Sequence, residues 1–315
     1  MNVLITGVGG FVGCHLAREL ERSGHQVAGF DLGPSPMLPE NVVIHPGDIQ
    51  DSAAVKDAVA ATRPEACVHL SGIAFVPEGW RNPAMVFSVN LLGTLNLLEA
   101  FRQVAADARV LVVSSAEVYG QRPRPRPVKE EDPLAPDSPY AIAKAAADQL
   151  ALFYAREHGL KIMTSRPYNH IGPGQNQNFA VASFARQLAA ISQGRSKAVL
   201  KVGNLDSRRD FTDVRDVARA YRGLLERGVP GKAYNLCAQR TVSIRALLDQ
   251  LCELSGVKPE LQVEAQRYRP AGEWPELDTT RIETQINWKP EIPLSTTLKD
   301  ILAEAQQRLQ REDAP

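Results

Sequence analysis

The sequence predicts an α/β fold: a doubly wound parallel sheet followed by a smaller C-terminal α/β region. Three observations carry this. Short, wholly apolar runs alternate with helical patterns through the first half of the chain. A strand that is apolar on both faces must be covered on both faces, which is the condition of a parallel sheet. A glycine-rich turn joins the first such run to the first helix, and the second half is less regular, with proline and glycine dense at 166–175 and again at 267–275.

In order, residues 3–5 read as a strand, 11–23 as a helix, 27–30 as a second strand, and a third strand precedes Asp48. Residues 67–70 form the fourth strand, followed by a long leucine-rich helix over 85–101, a strand at 111–113 and an alanine-rich helix over 140–158. Beyond these, 179–192, 214–227, 243–255 and 294–310 read as helices, and 233–236 as a strand returning to the sheet. The RPRPRP run at 122–127 reads as an extended surface connector. The division expected is residues 1–165 as a dinucleotide-binding domain, with returning segments near 210–240, and 166–315 as a substrate domain.

The glycine turn is Gly7-Val8-Gly9-Gly10-Phe11-Val12-Gly13, with G-x-x-G-x-x-G spacing. Gly7 and Gly10 allow a tight turn and close approach of a pyrophosphate to the helix N-terminus, where free amides and the dipole favour an anion. Phe11 and Val12 open the helix, and Gly13 lets helix and strand pack closely. This is the context of a Rossmann-type site. Asp31 ends the second strand, where a carboxylate accepts from ribose hydroxyls and repels a 2′-phosphate; it favours NAD(H), with NADP(H) left open. Asp48 and Ile49 stand where an adenine would be held, although Asp48 alone reads equally as a loop aspartate. Ser71 and Gly72 are small residues where backbone would pass the pyrophosphate.

Tyr140 and Lys144 share one helix face at Y-x-x-x-K spacing. An ammonium beside a phenol is expected to lower the phenol's pKa, so that it exchanges a proton with a sugar oxygen near neutrality. Ser115 ends a strand upstream, where a third hydrogen-bonding group is needed, and Glu117 follows two residues later as a candidate base.

TGVGGFVG, Asp31, the SSAEVYG segment and PYAIAK, in this order over essentially the whole chain, resemble the extended short-chain dehydrogenase/reductase family of nucleotide-sugar enzymes. The resemblance implies a Ser115–Tyr140–Lys144 triad, Lys144 on the nicotinamide ribose, and Asn90 in support. The segment from Ser165 to Gln175 is similar to enzymes acting on GDP-mannose derivatives. It implies that Asn169 faces the sugar or its phosphates and that Asn178, slightly downstream, lies near the diphosphate. Arg208-Arg209-Asp210-Phe211, followed by Val214 and Asp216 in the run RRDFTDVRD, resembles another signature of the family and implies Arg209 at the diphosphate; Arg269 and Glu273 fall where the family closes over the nucleotide. From its residue type alone, Arg209 reads as a salt-bridge residue, and His170 as a core histidine.

Two chemistries divide the expectation. Related 4,6-dehydratases carry a hydroxyl, then Asp or Ser, then Glu in the segment that here reads Ser115-Ala116-Glu117. Ala116 supplies no proton, so the resemblance implies NAD(P)H-dependent reduction of the C4 ketone of a GDP-linked 4-keto-6-deoxyhexose, giving a GDP-6-deoxyhexose of the GDP-D-rhamnose type. A GDP-mannose 4,6-dehydratase or a 4-epimerase is the alternative, and an NAD-sensing regulator the non-enzymatic one.

The bulk composition narrows the partners. Among 315 residues, 36 basic side chains balance 36 acidic ones, leaving no electrostatic footprint for nucleic acid or an anionic membrane. No apolar run is expected to span a bilayer, and the N-terminal residues lack a signal-peptide pattern. Cys14, Cys67, Cys237 and Cys252 lack metal-ligand spacing and read as small buried hydrophobes of a reducing cytoplasm; no metal is expected. The two long apolar helices point to a homodimer, which the resemblance also implies.

Overall fold

The computed structural model describes residues 1–122, 124–264, 272 and 274–312. Strand β1 (Asn2–Thr6) feeds helix α1 (Phe11–Arg22), whose buried stripe includes Cys14, Leu16, Ala17 and Leu20. β2 (Gln26–Asp31) and β3 (Val43–Pro46) follow. Helix α2 (Ser52–Thr62) is capped by Asp51, whose carboxylate accepts from the amides of Ala53 and Ala54. β4 (Ala66–His69) and the short α3 (Val76–Arg81) precede the expected long helix.

That helix is interrupted. α4 (Pro83–Phe87) passes into a π turn at Ser88–Leu92 and then α5 (Gly93–Val104). The wider turn is a device often found at functional sites, and here it carries Asn90. Taken together, Pro83–Val104 is long and apolar enough to cross a membrane, with mean hydropathy 1.4, contrary to the sequence expectation. Its residues Val86, Leu97, Leu98 and Phe101 are nonetheless buried inside the protein.

β5 (Arg109–Val113), a 3₁₀ turn (Ala116–Tyr119) and α6 (Pro139–His158) lead to β6 (Lys161–Pro167). The chain continues through β7 (Asn169–Ile171), α7 (Ala180–Ser192), β8 (Val199–Val202) and β9 (Arg208–Asp213). α8 (Val214–Arg227) and β10 (Ala233–Leu236) follow, then β11 (Thr241–Ser243), α9 (Ile244–Ser255), β12 (Glu260–Val263), α10 (Thr280–Ile286) and α11 (Leu294–Glu312).

Two compact units result. The first comprises Met1–Tyr168, Val217–Leu236 and Pro275–Lys289. It holds a seven-stranded sheet in the order β10-β6-β5-β4-β1-β2-β3, parallel throughout. The winding reverses between β1 and β4, the switch point outside whose carboxyl ends ligands bind in such sheets. One apolar cluster joins α1, α8 and α10 to the sheet; another joins α2, α5 and α6. The second unit comprises Asn169–Asp216, Cys237–Trp274 and Pro290–Pro315. It contains a three-stranded sheet (β11-β9-β7), a two-stranded one (β12-β8) and a core including Phe184, Leu188, Leu247, Leu251, Leu298 and Ile301. Its Cys252 is half-buried rather than fully buried, and His170 is half-buried on β7 rather than in the core.

Candidate active site

The glycine turn is built as its spacing requires. Gly7 has φ +72°, and a Cβ there would lie 2.7 Å from the amide nitrogen of Ser71. Gly10 donates its amide to the Gly7 carbonyl at 3.1 Å and precedes the first residue of α1. A Cβ at Gly13 would fall 2.4 Å from the Val8 carbonyl oxygen, so only glycine permits this packing of α1 on its turn. Phe11 and Val12 are half-buried in the first helical turn. The Asp31 carboxylate accepts from the amides of Gly9 (2.7 Å) and Leu32 (2.7 Å), so it is tied to the glycine turn. Gly9, which sequence spacing does not single out, is thereby part of the site. Asp48 is half-buried and accepts from the Gln50 amide at 2.9 Å; Ile49 is buried against Gly93. Close backbone approaches and a carboxylate at the end of β2 form a cradle that fits a dinucleotide.

Ser71 and Gly72 lie directly after β4. A Cβ at Gly72 would stand 3.0 Å from Asn90 Oδ1 and 3.5 Å from Lys144 Nζ, so the structure brings these three residues together. Asn90 is buried in the π turn and grips Ile73: its Oδ1 accepts from the Ile73 amide (2.7 Å) and its Nδ2 donates to the Ile73 carbonyl (3.1 Å).

Ser115 is the N-cap of the Ala116–Tyr119 turn, its Oγ accepting from the Glu117 amide at 3.2 Å. The same hydroxyl favours the ionised form of the Tyr140 phenol. Ser138 caps α6 in turn, accepting from the Ala141 amide, and so fixes where Tyr140 enters. Lys144, one turn on, donates to the Val113 carbonyl at 2.9 Å. Burial lowers its pKa to about 8. The expected lowering of the Tyr140 pKa does not occur. Burial first, then the Glu117 charge, push the phenol above its ordinary value, and only the Ser115 hydroxyl works the other way. The bond that Lys144 makes goes to the Val113 carbonyl rather than to the phenol. Ala116 is fully buried, and Glu117 is half-buried.

A charged network holds this turn from beneath. Arg166 and Asp148 form a buried pair at 2.6 Å, and Arg166 also donates to the Tyr119 hydroxyl at 2.8 Å. Tyr119 donates onward to Asn235 Oδ1 at 2.8 Å. Sequence spacing gives no sign of this, since its members are far apart in the chain.

In the second unit, Asn169 is exposed at the start of β7 and Asn178 is exposed before α7. Arg209 lies on β9 with its guanidinium 5.1 Å from the Trp274 ring centroid. The aspartates of its RRDFTDVRD motif serve the fold. Asp210 accepts from the amides of Ala238 and Arg240, Asp213 pairs with Arg215, and Asp216 accepts from the amides of Glu291 and Ile292. Arg269 and Glu273 lie outside the described residues. Among the described residues, no group of three or more His, Cys, Asp or Glu could hold a metal ion.

A doubly wound sheet, a glycine cradle at the head of α1 and a Ser–Tyr–Lys set at the ends of β5 and α6 define a short-chain dehydrogenase/reductase. Within that class, the chain belongs to the GDP-mannose 4,6-dehydratase family, whose family profile matches residues 4–301. It is 37% identical over 313 residues to the GDP-6-deoxy-D-mannose reductase of Pseudomonas aeruginosa, covering 99% of each chain. The structure of RMD from Pseudomonas aeruginosa complexed with NADPH superposes with a TM-score of 0.86 at 36% identity, over 98% of this chain and 100% of that one. The UDP-glucose 4-epimerase of Thermus thermophilus in complex with NAD also gives 0.86, at 29% identity, over 97% and 99% of the two chains.

Proposed function

We propose that the protein reduces the C4 ketone of a GDP-linked 4-keto-6-deoxyhexose with a nicotinamide cofactor, NADH or NADPH. The Ser115-Ala116-Glu117 turn carries this reading. It presents one hydroxyl to Tyr140 and, at the next position, a buried methyl that donates nothing. The full-length similarity to a GDP-6-deoxy-D-mannose reductase supports the same substrate class.

Bound along the glycine turn and residues 71–73, the reduced cofactor would supply hydride to C4. The chain's own groups do the rest. Ser115 orients the carbonyl oxygen by hydrogen bonding. Tyr140, its pKa raised by burial, stays protonated through the neutral range and gives its proton to the oxygen as alkoxide character develops. Lys144, beside Gly72, holds the nicotinamide ribose and places positive charge near the phenolate that Tyr140 becomes. Asn169, Asn178 and Arg209 serve the sugar and diphosphate, for which a guanidinium is the suitable bidentate partner. Changing Tyr140 to Phe tests the assignment: turnover should fall at least a hundredfold while cofactor binding survives. Retained turnover would remove Tyr140 from the chemistry.

Glu117 favours a second reading, 4,6-dehydration, because a base near C5 is required there and Glu117 adjoins the triad. That reaction also needs help for the leaving C6 hydroxyl, and Ala116 stands where the help would come from.

The assembly proposed is a homodimer through α4, the π turn and α6, which expose Met85, Leu92, and Ile142 with Phe153 respectively. The four free thiols suit a reducing cytoplasm.

A further inference from the structure

We infer that His69 is a positioning residue of the dinucleotide site: a neutral imidazole of fixed tautomer that ties the loop of residues 71–73 to the π turn carrying Asn90. The inference rests on the dinucleotide reading above. His69 closes β4 and is buried, as are Thr6, Thr94 and Asn90. Its Nδ1 lies 2.7 Å from Thr6 Oγ1 and its Nε2 lies 3.0 Å from Thr94 Oγ1.

The proton positions follow from what each partner can do. Thr94 has one hydroxyl proton, and its Oγ1 lies 2.7 Å from the carbonyl oxygen of Asn90, which can only accept. That proton is therefore spent, and Thr94 Oγ1 must accept from His69 Nε2–H. In a neutral ring Nδ1 is then bare, so it accepts from the Thr6 hydroxyl. Thr6 Oγ1 in turn receives the amide of Ser71 at 3.3 Å. Four bonds run in one direction: Ser71 amide to Thr6, Thr6 to His69, His69 to Thr94, Thr94 to the Asn90 carbonyl. Burial, aided by the Lys144 charge, lowers the His69 pKa to about 3, so the neutral ring this chain requires is the form present.

Asn90 holds the other end of the same loop through both bonds to Ile73. Ser71 and Ile73 are thus fixed to one helical turn, one through the histidine chain and one directly. Between them Gly72 passes beside Lys144, and Ser71 passes against Gly7. The loop where a cofactor would lie is held by a network whose members share their polarity, so breaking one bond loosens the rest. His69 touches no reacting atom; it acts through the loop.

The test measures NADH and NADPH binding by fluorescence titration, and amide hydrogen exchange in a peptide spanning residues 70–76, for wild type, His69→Leu, Thr6→Val and Thr94→Val. Wild type should bind. His69→Leu and Thr94→Val should each weaken binding about tenfold and speed exchange at residues 71–73, while exchange in the core strands keeps its protection. The Thr6→Val/Thr94→Val double variant should cost less than the sum of the singles, as expected for members of one network. The near-isosteric threonine variants carry the test if His69→Leu does not fold. Unchanged binding and exchange in folded variants would overturn the positioning role with the dinucleotide reading intact. A wild type that binds neither cofactor would overturn both.

Discussion

At the scale of single residues, the proposed chemistry turns on two ionisable groups, buried Tyr140 and half-buried Lys144, whose pKa values burial shifts in opposite directions. Tyr140 is held above its ordinary pKa, the right side for a proton donor, and Lys144 is brought down to about 8. A lysine with a lowered pKa loses its charge earlier as pH rises. So kcat/KM for the reduction, which reports the free enzyme, should fall as pH passes through about 8, with no limb from Tyr140 below that. Lys144→Arg keeps the charge, and its residual activity should lose this limb. A limb that persists in Lys144→Arg belongs to another group. Asp31 gives a second test. Asn at this position retains an acceptor for the Gly9 amide but removes the charge, and the ratio of NADPH to NADH efficiency should rise severalfold in Asp31→Asn. The candidate residues were legible in sequence because glycine spacing, an aspartate at a strand end and Y-x-x-x-K are local patterns. The shift of Tyr140 was not, since it depends on how deeply the phenol is buried and on Glu117, which only the fold brings near.

At the scale of elements, the turn bearing Ser115 and Glu117 is only as firm as the Arg166–Asp148–Tyr119 network under it. Asp148→Asn strips a buried guanidinium of its counter-charge and should cost about 3–5 kcal/mol, read as a fall in the urea midpoint. A change below about 1 kcal/mol would show that Tyr119 and backbone acceptors suffice. Gly13→Val would drive a side chain into the Val8 and Gly7 carbonyls, displacing α1, and dinucleotide binding should be lost. Six of the seven strands of the parallel sheet were legible, most of them as short apolar runs, whereas the five short strands of the second unit were not. β6 was missed because KIMTSRP mixes polar side chains into a buried strand. α2 was missed because its alanine-rich sequence has little periodicity, although Asp51 was a usable cap signal. The π turn leaves no mark in a leucine-rich pattern that reads as one helix.

At the scale of the whole molecule, the chain leaves its first unit after Tyr168 and returns twice, over Val217–Leu236 and Pro275–Lys289. The first return was expected from an apolar strand at 233–236. The second contributes α10 and Trp288 to a core formed largely by residues distant in the chain, and nothing local announces it. An exposed apolar face on α4, the π turn and α6 should make the protein dimeric by light scattering, and Leu92→Asp, at a position about half exposed, should shift it toward monomer. A monomeric wild type would remove that proposal. The central claim is the reaction itself, and it is tested by mixing the protein with GDP-4-keto-6-deoxymannose and NADH or NADPH, following cofactor oxidation and reading the product by NMR. Reduction requires one cofactor oxidised per ketone consumed and a 6-deoxyhexose bearing a C4 hydroxyl. No oxidation with that sugar, together with a 4-keto sugar formed from GDP-mannose and NAD, would contradict the account and make Glu117 the working base.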